Sequence, residues 1–92
     1  NCNHIYHLYT IKIGKDFGLT RDELFQKLYK KNIGTSVQYI PLHLMSIFKK
    51  EYKNKINQFS NSNKLKNEVL SLPIYPDMTI KQLEYVVSNI LY

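Results

Sequence analysis

Cysteine is almost absent: Cys2 is the single one in 92 residues. One thiol forms no internal disulfide and no all-cysteine zinc site, and a reducing, cytosolic setting fits. Glycine is as scarce. Gly14, Gly18 and Gly34 cannot build a G-x-G-x-x-G phosphate loop, and no G-x-S-x-G nucleophile turn occurs. No run of about 18 apolar residues exists, so no membrane-spanning helix and no membrane partner are expected. No basic segment followed by an apolar one opens the chain, so no signal peptide is expected. No paired-carboxylate signal for general acid–base work is visible. No lysine stands alone in an apolar context that would depress its pKa. The chain does not begin with methionine, which suggests a processed, excised or partial sequence. On this chemistry the chain does not read as a complete enzyme acting through its own side chains.

What is present suits a folded protein. Hydrophobic residues make up 43% and charged residues 22%, near globular averages. The length allows one small domain over residues 1–92, burying roughly 60–65% of its unfolded surface. Twelve lysines and Arg21 against seven acids give a net charge of +6. Six lysines (Lys49, Lys50, Lys53, Lys55, Lys64, Lys66) fall in one stretch with a single acid, Glu51. That stretch, with Tyr52 and Phe59, raises the alternative of a basic nucleic-acid-binding module. The pattern lacks a stacking platform. Codon bias and a solvated helix face explain it as well, so no nucleic-acid partner is expected.

The chain reads as β-α-β-α-α-β-α. Ile5–Ile13 alternates with period two, placing Ile5, His7, Tyr9, Ile11 and Ile13 on the core side. Thr20-Arg21-Asp22-Glu23 is a capping box opening a helix with Leu24, Phe25 and Leu28 inward, and Gly34 is expected to supply its left-handed stop. Thr35–Ile40 reads as a short strand ended by Pro41. Leu42–Tyr52 reads as a short helix, Lys53–Asn63 as the least structured part, and Lys64–Leu70 as a short helix. Ser71–Pro76, with two prolines, reads as an edge segment or nothing regular. A second capping box, Thr79-Ile80-Lys81-Gln82, opens an amphipathic helix with Leu83, Val86, Val87 and Ile90 on its apolar side. The fold class expected is α+β: a short, mainly antiparallel sheet with helices on one face.

Few residues carry chemistry. His4 and His7, three apart on a strand, point to opposite faces and share no metal. His43 follows Pro41 in a rigid turn and is the better functional candidate. Cys2 lies at the N-terminus and is a weak nucleophile candidate.

Several segments, taken in order, carry a resemblance. They are Asn3-His4-Ile5-Tyr6-His7-Leu8-Tyr9-Thr10-Ile11, Arg21-Asp22-Glu23-Leu24, Ile33 through Leu44, Phe59 with Asn61, Val69 through Pro76, and Met78-Thr79. At these spacings the chain resembles the C-terminal part of the DegT/DnrJ/StrS-type nucleotide-sugar aminotransferases. Within that family it is most similar to those making 4-amino-4,6-dideoxy sugars on UDP, as in pseudaminic acid synthesis. The resemblance implies the small C-terminal domain of a fold-type-I, pyridoxal-phosphate-dependent transferase. Such an enzyme is cytoplasmic and homodimeric. It moves an amino group, with glutamate the expected donor, to a keto nucleotide-sugar for cell-surface polysaccharide synthesis. The cofactor lysine belongs to a large N-terminal domain outside this sequence, so the chain alone is expected to be inactive. An orphan, non-catalytic remnant is a further alternative.

The resemblance also points to the residues expected to border the sugar-nucleotide pocket: Ser36, Val37, Gln38 and Tyr39, with His43 on the turn. Tyr39 offers a flat ring to the sugar, and His43 a donor. No catalytic, cofactor-binding or metal residue is assigned. Gln38 departs from the family, which commonly has His there and so an imidazole that titrates near neutral pH. Phe59-Ser60-Asn61-Ser62-Asn63 departs from the usual F-P-N-A-E.

Overall fold

A computed structural model describes residues 1–53 and 55–92. Its two ordered strands, β1 (Tyr9–Lys12) and β2 (Val69–Leu72), pair antiparallel with Ile11 opposite Leu70 and Tyr9 opposite Leu72. On its other side β2 is bridged by Ser36, which exchanges both backbone hydrogen bonds with Ser71 (3.0 and 2.9 Å). β2 is therefore paired along β1 and held on its other side by one bridge, at Ser71. The two prolines at 73 and 76 lie just beyond it, where no ladder donor is needed.

Among the described residues four α-helices accompany the sheet: α1 (Arg21–Tyr29), α2 (Lys49–Tyr52), α3 (Ser60–Glu68) and α4 (Ile80–Leu91). Both expected capping boxes are formed. Thr20 accepts from the Glu23 amide at 3.2 Å, and Glu23 accepts from the Thr20 amide at 2.8 Å. Thr79 and Gln82 do the same at 3.3 and 2.8 Å. These contacts span three residues and need no tertiary partner, which is why they are legible locally.

The core is small. Ile13, Leu24, Leu28, Ile33, Leu70 and Val86 are its buried members, and Ile11, Phe25, Leu72, Met78 and Ile90 pack against it. Leu24 and Leu28 are one helical turn apart, so α1 lays one stripe on the sheet. α1 also meets α4. The parity expected for β1 holds at Ile11 and Ile13, with Ile13 buried.

Several expectations are corrected. The first strand does not begin at Ile5. Tyr6 adopts a left-handed backbone (φ 51°), with its amide donating to His4 Nδ1 at 2.8 Å, and Ile5 is 87% exposed. His4 and His7 thus do not sit on opposite faces of a strand. Thr35–Ile40 makes one bridge, at Ser36, because nothing continues the pairing. The expected helix over Leu42–Tyr52 is split into a 3-10 turn (Leu42–Leu44) and α2. The stretch expected to be irregular holds a 3-10 turn (Ile56–Phe59) and the start of α3; Asn54, inside that stretch, lies outside the described residues. Val69 opens β2 instead of closing a helix.

The left-handed stop after α1 is Asn32 (φ 57°), not Gly34. Ile33 N–H donates to the Leu28 carbonyl and Asn32 N–H to the Tyr29 carbonyl, each at 3.0 Å. That is a Schellman closure, and the apolar pair it brings together, Leu28 and Ile33, belongs to the core. Asn tolerates this backbone better than other side chains do.

Candidate functional site

The segment after α1 carries the residues singled out by sequence. Ser36 is pinned to β2 by its two backbone bonds, which sets where the following residues start. Beyond Ser36 the ladder stops, and the chain leaves the sheet as far as Pro41. Val37 (44%), Tyr39 (77%) and Ile40 (59%) turn apolar surface outward. Gln38 is half-buried, with its Nε2 reaching the Ser36 hydroxyl at 3.5 Å. Pro41 then opens the 3-10 turn, closed by Leu44 N–H on the Pro41 carbonyl at 2.8 Å.

His43 is placed differently from a displayed donor. It is 4% exposed, its Nε2 donates to Asn63 Oδ1 at 2.7 Å, and its ring stacks on Phe59 (centroids 4.5 Å apart, 14° between planes). Tyr52 meets the same Phe59 ring edge-on at 5.4 Å. The ring therefore ties the turn to the beginning of α3. Sequence adjacency to Pro41 said nothing of this, because Phe59 and Asn63 come from a separate element.

Between this segment and α3 lies an open groove of about 400 Å³. Gln38, Tyr39 and Leu42 line one wall, and Ser62, Leu65 and Lys66 the other. Ser36 and Val37 stand at its sheet end, outside the lining itself. A ring, an amide, a hydroxyl and an ammonium around an apolar floor suit a ligand with hydroxyl groups and negative charge. Lys66 and Ser62 were not among the residues expected at the pocket: Lys66 was read as part of the basic stretch and Ser62 as part of a departure from the family. They lie on another helix, and no local spacing links them to Gln38.

Pyridoxal phosphate needs a phosphate cradle and a lysine that can lose its proton. Of the three helices of nine residues or more, α1 and α4 have their N-terminal amides engaged by Thr20 with Glu23 and Thr79 with Gln82, and α3 opens at Phe59 without a side-chain cap and with no glycine-rich loop before it. Hydrogen bonds from the Thr20 backbone amide, and then from its hydroxyl, hold the Glu23 carboxyl below the ordinary glutamate range. A carboxylate there opposes a phosphate. Every lysine is exposed or half-exposed, so none is buried in an apolar site against which the cofactor ring could be held. The residues of this chain alone do not fit the cofactor. Among the described residues no cluster of three His, Cys, Asp or Glu could hold a metal ion, and no helix is long and apolar enough to cross a membrane.

Comparison with known proteins bears on the whole chain. The sequence profile of the DegT/DnrJ/EryC1/StrS aminotransferase family matches residues 1–91. A Bacillus subtilis relative, the spore coat polysaccharide biosynthesis protein SpsC, is 35% identical over 89 residues, covering 95% of this chain and 23% of its own length. An uncharacterized protein of Methanocaldococcus jannaschii is 39% identical over 88 residues, with 95% and 23% covered. The UDP-4-amino-4-deoxy-L-arabinose–oxoglutarate aminotransferase of Shewanella sediminis is 29% identical over 92 residues, with 95% and 24% covered. The chain thus spans about a quarter of the length of these relatives.

Proposed function

The chain belongs to the DegT/DnrJ/EryC1/StrS aminotransferase family, and we propose that it is the substrate-side small domain of a sugar aminotransferase in polysaccharide biosynthesis. The match over residues 1–91 carries this reading. Its acceptor is a keto nucleotide-sugar and its donor is glutamate. Pyridoxal phosphate, which supplies the carrier for the amino group, is held by a large N-terminal domain of the same polypeptide, in a cytoplasmic homodimer.

The work of these 92 residues is binding and orientation. Ser36, Val37, Gln38 and Tyr39 border the sugar-nucleotide. Tyr39 lays an aromatic face on the sugar ring, and the Gln38 amide donates to one hydroxyl and accepts from another. Lys66 faces negative charge from the opposite wall of the groove. His43 acts on the same ligand through the turn it anchors, since its Nε2 is already engaged by Asn63. Placing the keto group against the cofactor converts an encounter into an oriented one, which is where such a domain contributes to rate.

The test is to express the longest reading frame containing these residues. Glutamate-dependent amination of a 4-keto nucleotide-sugar is then assayed, alongside the isolated 92-residue chain. The longer protein is expected to turn over and the chain alone to be inactive. Turnover by the isolated chain, or a longer protein that neither binds pyridoxal phosphate nor aminates any keto nucleotide-sugar, overturns the reading.

A further inference from the structure

We propose that the outward stripe of α4, formed by Ile80, Leu83, Val87 and Leu91, docks onto the remainder of a longer polypeptide that contains this chain. The proposal rests on the reading given above, that these residues are one domain of a larger enzyme.

The four residues recur at intervals of three and four, so they share one line along the helix. They are 69%, 47%, 43% and 63% exposed. On the adjoining line, Val86 is buried and Ile90 packs on the core. The apolar arc of α4 is thus about twice as wide as the part its own chain covers. Leu83, Val86, Val87, Ile90 and Leu91 form the single apolar face of a helix meant to be covered along its whole width, yet this chain covers it only at Val86 and Ile90. The rest of the chain is also short of internal cover. The radius of gyration is 15.9 Å, against about 12 Å for a compact domain of this length.

Two observations select the occupant. The curated relatives match over 95% of this chain yet are about four times as long, so the family carries ample further chain to supply a second layer. A second copy fits less well. Two chains of net charge +6 repel, and nothing in the stripe offsets that. The partner surface is therefore an apolar helix or sheet face of the same polypeptide, continuing the core that Val86 and Ile90 begin.

Thiol labelling tests this. In a C2S background, V87C is compared with S88C, one residue on and on the exposed polar side, in the longer polypeptide as its source makes it and in the isolated chain. L83C repeats the measurement on the same stripe. In the longer polypeptide V87C and L83C are expected to react with a maleimide at least about 30-fold more slowly than S88C, as a packed face does. In the isolated chain all three should react at similar rates. Equal rates in the longer polypeptide overturn the proposal. So does protection in the isolated chain that grows with its concentration, which would assign the stripe to a second copy, or a gene product of only these residues. Assaying amino transfer on the same unlabelled proteins separates the two readings. Protection without transfer keeps the docking face and removes the activity, and transfer without protection does the reverse.

Discussion

The Arg21 guanidinium reaches across 48 residues of sequence to donate to the Val69 carbonyl at 3.3 Å. The same nitrogen donates to the Lys66 carbonyl at 3.2 Å, while Nε pairs with Asp22 at 2.6 Å. The side chain is only 10% exposed. One cation thereby joins the start of α1 to the end of α3, where unsatisfied carbonyls concentrate negative potential. R21A should lower unfolding stability by about 1–3 kcal/mol. R21K should recover little of it, since a compact ammonium cannot serve three acceptors in a plane. Urea denaturation of the three proteins measures both.

Asn32 and Gly34 exchange the roles expected of them. N32A forces an ordinary side chain into a left-handed backbone and should cost about 1–2 kcal/mol, with N32G close to neutral. At Gly34 φ is not positive and a Cβ meets nothing within 4 Å, so G34A should be neutral or stabilise by up to about 1 kcal/mol. Thermal melts of the three variants give the order.

The two capping boxes should part company in acid. Glu23 has a depressed pKa in the folded chain, so its contribution is complete above the ordinary glutamate value. It is lost as pH falls through the lower folded value. Gln82 does not titrate. Acidification should lower the protection factor of the Thr20 amide, its exchange being taken relative to the intrinsic rate at each pH, and leave that of Thr79 unchanged, and E23Q should abolish the difference. Hydrogen exchange followed by NMR across the acid range reports it.

Replacing His43 removes a buried ring and leaves Asn63 without its 2.7 Å donor. H43A should cost about 2–4 kcal/mol, combining lost packing with a lost buried hydrogen bond. N63A should also destabilise, and the two changes should be less than additive, because they share the His43–Asn63 hydrogen bond. A double-mutant cycle in urea provides the coupling.

Tyr39 should behave oppositely. At 77% exposure it stabilises little, so Y39A should change unfolding stability by less than about 0.5 kcal/mol. In the longer polypeptide it should raise KM for the keto nucleotide-sugar about tenfold or more, as the loss of a stacking face does. Unchanged steady-state kinetics would remove Tyr39 from the substrate pocket.

The sequence by itself determined whatever closes within one turn or one side-chain alternation. Both capping boxes, the Leu24–Leu28 stripe, the inward Ile11 and Ile13, and the helix from Ile80 follow from neighbours three or four residues away. The family was legible as well, since the segments shared with it lie in order along the chain. Tertiary structure alone decided what depends on a distant partner. Strand pairing began at Tyr9 and not Ile5, because the partner strand ends opposite at Leu72. Ser36 became a single bridge because β2 offered it one hydrogen-bonding position. His43 went inward because Phe59 and Asn63 were there to receive it. The width of the α4 apolar arc was readable, but how little of it this chain covers was not. A hydrophobic pattern states what must be buried, and only packing states which surface buries it.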